Sequence, residues 1–150
     1  MHQQSIGIEI CGFGGLHFEG FFRVNPKTGK NLWVKGQKGI YYTWSGQIAN
    51  PDQIEFLSEP FRGHTAWHRF SPKQIESTRL SILEIAKRDA IDPRKGIVEE
   101  IKKLGPFRAF NLTNRTMCET RPGLWLHTNV RLDKNDPYPS QGLIDMLQSL

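Results

Sequence analysis

His127, Lys134 and Asp136 put an imidazole, an ammonium and a carboxylate within one short stretch of chain, Trp125 to Pro139. A neutral imidazole and a carboxylate are ordinary zinc ligands, and a catalytic zinc site uses three protein ligands with one position left for water. Lys134 stands two residues before Asp136, so in an extended loop both side chains point to the same side. A cation beside an activated water stabilises an oxyanion as it forms. Solvated loop charges are the competing reading of the same spacing.

The segments on either side must position these groups. Gly123-Leu124-Trp125-Leu126-His127 predicts entry into a strand with His127 near its end. After the loop, Ser140 is placed to cap a closing helix whose apolar side is Leu143, Ile144, Met146, Leu147 and Leu150. The clearest helix lies earlier. Ser71-Pro72-Lys73-Gln74 offers an N-cap, a first-turn proline and the N3 glutamine of a capping box. Ile75, Ile82, Leu83 and Ala86 then follow at helical spacing, and the pattern ends before Ile91-Asp92-Pro93. Residues 97 to 104 suit a short helix, and 105 to 121 read as an irregular connection.

At the N-terminal end, Ile6, Ile8 and Ile10 alternate with Gly7, Glu9 and Cys11, the period of a strand. Glu9 would then face away from the isoleucines, flanked by small neighbours that leave room for a ligand. A solvent-facing glutamate is the plainer reading of that segment alone. Gly12-Phe13-Gly14-Gly15 breaks the strand without forming a phosphate loop. Residues 17 to 57 are rich in aromatics and glycine, with turn signals at 25–30 and 44–46, and predict a β-hairpin or small meander. Their aromatics suit packing, with stacking on sugar rings as the other use. His64 and His68 would share a face on a helix, but Pro60 and Gly63 favour a loop or short strand.

One hundred and fifty residues suit a single domain. The hydrophobic fraction of 37% and charged fraction of 23% are those of a globular protein, and no apolar run is long enough to span a bilayer. No signal peptide is visible, and Cys11 and Cys118 are too few for a disulfide framework. A reducing compartment such as the cytoplasm is therefore the simpler reading. A net charge of +5 favours anionic partners, nucleic acid and acidic cell-wall polymers among them. The basic residues are dispersed, with Lys27, Lys30, Lys35 and Lys38 as a loose group, and no nucleic-acid motif is present. Neither a nucleic acid nor a membrane is expected as partner.

Taken in order, Ser5-Ile6-Gly7-Ile8-Glu9, Pro60-Phe61-Arg62-Gly63, Trp67-His68 and His127…Lys134-Asn135-Asp136-Pro137 resemble the amidase-2 family of zinc N-acetylmuramoyl-L-alanine amidases. That family includes phage endolysins and peptidoglycan-recognition proteins. The resemblance spans nearly the whole chain and is weakest in the hairpin region and at 97 to 121. It implies an α/β fold (α+β in some schemes), a mixed central β-sheet flanked by helices, with zinc held in a cleft. It further implies His127 and Asp136 as metal ligands, Glu9 as catalytic base and Lys134 as oxyanion partner, acting on peptidoglycan or muropeptides. The family's first zinc histidine belongs to a strand before the Glu9 strand, and Met1 precedes Glu9 by only eight residues. The expectation is thus an N-terminally truncated catalytic domain lacking its third ligand, with His2 assigned to the entering loop. A non-catalytic peptidoglycan-binding module, or an inactive fragment, is the alternative.

Overall fold

The computed structural model describes Ile8, Ile10 and residues 12–150. The strand expected at 5–11, with Glu9 and Cys11, and also His2, lie outside the described residues. The described chain falls into two compact units, one of Gly12–Arg69 and one formed mainly by Phe70–Leu150.

The first unit is made of short antiparallel pairs. Strand β1 (His17–Phe18) pairs with β4 (Tyr41–Tyr42), β2 (Gly20–Val24) with β3 (Asn31–Lys35), and β5 (Ile54–Phe61) with β6 (His64–His68). Arg62 and Gly63 join the last pair with φ of 49° and 86°. Two consecutive positive φ values match the twist of a tight hairpin. Leu16, Ala49, Ile54 and Ala66 form a small buried cluster with Tyr41 packed on it, and Phe61 and Trp67 are fully buried.

The second unit is helical. Helix α1 (Pro72–Arg88) begins as its sequence dictates: the Ser71 hydroxyl accepts from Gln74 N–H, and the Gln74 side chain accepts from Ser71 N–H. Helix α6 (Gln141–Gln148) is capped by Ser140, whose hydroxyl accepts from Leu143 N–H. It packs against α1 and buries Leu143, Ile144, Met146 and Leu147. Between them run α2 (Ile97–Leu104), α3 (Pro106–Asn111), α4 (Arg115–Thr120) and α5 (His127–Val130). Ile97, Val98, Ile101, Ala109 and Phe110 are buried where α2 packs on α3. Each large apolar side chain so buried contributes about 1.5–3 kcal/mol.

Mixed α and β content is thus present, but in place of one mixed central sheet the described residues form three two-stranded antiparallel sheets. Among the described residues, parallel pairing is reduced to a lone bridge between Gly96 and Leu124. Gly96 has φ +80°, and a Cβ there would sit 2.3 Å from the Leu124 carbonyl oxygen, so only glycine admits this approach. The connection at 105–121 is not irregular, since it holds α3 and α4. Pro106 starts the first at N1, and the Asn114 side chain caps the second by accepting from Met117 N–H.

Candidate functional site

The expected strand at 123–127 ends early, which changes the setting of His127. Leu126 is extended (φ −85°, ψ 155°), and His127 is the first residue of α5. The cause is Asn129. Its Oδ1 accepts from Leu126 N–H at 3.0 Å, while its own N–H donates to the Leu126 carbonyl at 3.0 Å, so the chain coils immediately after Leu126. The same amide donates through Nδ2 to the carbonyls of Ala109 (2.9 Å) and Leu112 (2.7 Å). Those carbonyls belong to the end of α3, and the Asn129 carbonyl in turn accepts from Asn114 N–H at the cap of α4. Thr113 Oγ1 adds a bond to the Thr128 carbonyl at 2.8 Å. Thr128 and Asn129 are fully buried, and His127 beside them is half-buried. The histidine therefore stands on a backbone fixed to two other helices.

Trp125 steadies the approach to that turn. Its indole N–H donates to the Arg121 carbonyl, and the Arg121 guanidinium lies 5.5 Å from the ring centroid. Arg121 also bridges to α2, with Nη2 on Glu99 and Nη1 on Glu100, each at 2.9 Å. Burial pushes the nearly buried Glu100 carboxyl upward. Its bonds from Arg121 and Lys103 outweigh that and hold it below the usual carboxylate range.

Lys134 and Asp136 lie in the loop after α5. At its near end, Lys134 N–H donates to the Arg131 carbonyl, and Arg131 is paired with Asp133. At its far end Tyr138 is buried and stacked on Phe70, with ring centroids 5.1 Å apart. Lys134 is half-buried and Asp136 exposed. In this helical unit Glu76, Asp89, Asp92, Glu99, Glu100, Glu119 and Asp133 all engage an arginine. Asp145 accepts from Gln141. Among the described residues of the unit, only Glu84 and Asp136 have carboxylates with no hydrogen bond. The side chains of His127 and Lys134 are likewise uncommitted.

An imidazole nitrogen and a carboxylate oxygen, neither engaged elsewhere, are donor types that zinc takes. Among the described residues no three His, Cys, Asp or Glu side chains gather to hold a metal ion.

The remaining described histidines, His17, His64 and His68, belong to the β-rich unit. His64 and His68 lie on β6, as a short strand predicts, and four residues of strand separate them by about 13 Å, too far to share a metal. His64 faces His17 instead, with ring centroids 5.0 Å apart and its Nδ1 3.2 Å from the Leu16 carbonyl. Burial, and secondarily the neighbouring His64, pushes the His17 pKa down.

Sequence spacing picked out His127, Lys134 and Asp136 but not Asn129. The signal for Asn129 was an asparagine three residues after Leu126, the N3 position from which a side chain reaches back to a helix start. Searches against protein-family models, curated proteins and solved structures return no match for this chain, so the family resemblance rests on the residues themselves.

Proposed function

We propose that this chain is catalytic-domain sequence of a zinc-dependent N-acetylmuramoyl-L-alanine amidase, which hydrolyses the amide between the lactyl group of N-acetylmuramic acid and the L-alanine of the stem peptide. The observation that carries the reading is the uncommitted trio of His127, Lys134 and Asp136, in a unit whose other described acids, Glu84 excepted, are hydrogen-bonded.

In this reading His127 and Asp136 hold the metal, together with a donor from outside the described residues. Zinc, when bound, lowers the pKa of a water toward neutrality and polarises the amide carbonyl. Glu9, on the N-terminal segment, takes the proton of the attacking water and returns it to the departing alanine nitrogen. The Lys134 ammonium faces the negative charge that develops on the carbonyl oxygen. Asn129 keeps His127 on its fixed turn and touches no substrate.

The test is release of stem peptide from purified peptidoglycan by the protein, with and without a chelator. Chelator-sensitive release supports the proposal, and intact muramoyl-alanine bonds after prolonged incubation would sink it.

A further inference from the structure

The β2–β3 hairpin displays a face that the proposed chemistry does not use. Its register pairs Gly20 with Lys35, Phe22 with Trp33 and Val24 with Asn31, which puts these six side-chain positions on one side. The other side carries Phe21, whose ring packs on Tyr42 at 5.6 Å. On the first side, Phe22 and Trp33 are 46% and 44% exposed, with ring centroids 4.9 Å apart. His17 meets both rings edge-on. Gly20 permits the arrangement, because a Cβ there would lie 2.4 Å from Trp33 Cζ2. The indole is thus laid across backbone, with an amide (Asn31) and an ammonium (Lys35) exposed two residues away on either side.

We propose that this face binds the glycan strand of the cell-wall polymer. Pyranose rings would stack on Phe22 and Trp33, the Asn31 amide would meet hydroxyl or N-acetyl groups, and Lys35 would meet a carboxylate. The identity of the polymer rests on the amidase reading, whereas the ligand class follows from the face itself. A nucleic-acid strand needs cations tracking its phosphates along the stacked bases. Here only Lys35 flanks the rings, for Arg23 falls on the opposite side of the hairpin and Lys27 and Lys30 lie at its turn. A stable protein partner is disfavoured by size, since an aromatic side chain buries about 150–250 Å² in all, these two are already about half covered, and a specific interface buries roughly 1,200 Å² or more. Sparse charge beside flat apolar rings suits a sugar chain with occasional carboxylates.

Co-sedimentation of the 150-residue chain with purified sacculi, stripped of protein and teichoic acid, tests this. The Phe22→Leu/Trp33→Leu double variant keeps apolar bulk but loses the ring faces, and should bind at least about tenfold more weakly. Trp33→Phe should stay within about twofold of wild type, which separates ring chemistry from misfolding. Lys35→Gln should weaken binding about threefold at low salt, a difference that vanishes at high salt. Equal binding by wild type and double variant overturns the proposal, as does absence of binding by wild type. So does tighter retention of oligodeoxythymidine than of sacculi, lost in the same variants. Sacculus binding that is lost in the double variant, without stem-peptide release by the protein, would leave the glycan face standing and remove the amidase reading. Stem-peptide release with unaltered binding by the double variant would do the reverse.

Discussion

The two units use their apolar residues in opposite ways. In the helical unit, Phe110, Tyr138, Leu143 and Leu147 are almost wholly enclosed, and the exposed large apolar residues are aliphatic: Leu80, Leu83, Ile91, Leu104 and Leu132. In the β-rich unit the exposed set is mainly aromatic, with Phe13, Phe18, Phe22, Trp33, Trp44 and Phe56 at the surface. Helices packed at several angles can enclose a side chain from all directions. Two-stranded sheets have two faces, and a unit of 58 residues has too few layers to cover both. The charges differ in the same sense. The helical unit pairs seven of its described acids with arginines and leaves His127, Lys134 and Asp136 open, whereas the hairpin leaves both rings and cations open. One unit is built to hold a few groups still, and the other to present a surface.

The sharpest way to break that contrast is His127→Ala. On the proposed amidase reading, stem-peptide release should fall about a thousandfold or more, as expected for loss of a group essential to catalysis. A fall of less than tenfold would place the chemistry elsewhere. Next in size is Asn129→Ala, which strands the carbonyls of Ala109 and Leu112 and the N–H of Leu126 in the interior. It should cost about 3 kcal/mol or more of stability by denaturant titration, because each stranded buried group costs about 1–3 kcal/mol. A neutral result would mean that the turn at His127 is held by other contacts. Lys134→Met should lower kcat about a hundredfold with little change in stability, the size seen when one oxyanion donor is removed. A change confined to KM would instead make Lys134 a ground-state binding group.

The smallest effects concern acid, and they separate the units by pH. His17 and His68 are both pushed below the ordinary histidine pKa by burial. The unfolded chain then binds more protons below about pH 6.5, so the β-rich unit should lose stability as pH falls from 7 toward 5. Glu100 has a lowered pKa, so its contribution is complete above the ordinary glutamate range and fades only as pH falls below about 4.3 through its folded value. Amide exchange followed from pH 7 to 4 should therefore show 12–69 opening first, with His17→Asn reducing that early loss. Simultaneous opening of both units would contradict the assignment.

The elements most legible in the sequence were those whose determinants are local. Ser71 with Gln74, and Ser140 ahead of Leu143, set helix starts through bonds three residues apart, and both helices form where those residues predict. Asn25-Pro26-Lys27-Thr28-Gly29-Lys30 likewise made a turn between paired strands. His127, Lys134 and Asp136 could be picked out because residue type and spacing already speak of chemistry. What the sequence did not reveal depends on partners far along the chain. The predicted strand into His127 became a helix start because Asn129 bonds to carbonyls 17 and 20 residues earlier. Arg121 found its carboxylates 21 and 22 residues away, on α2. The aromatics of the hairpin read equally as packing or display until the register put Phe22 opposite Trp33, with Gly20 beneath the indole. Sequence alone determined which groups were chemically capable and where helices began, since these follow from side-chain chemistry within one turn. Tertiary structure decided which backbone carries His127 and which rings face solvent, since both depend on hydrogen bonds and contacts formed only when distant segments meet.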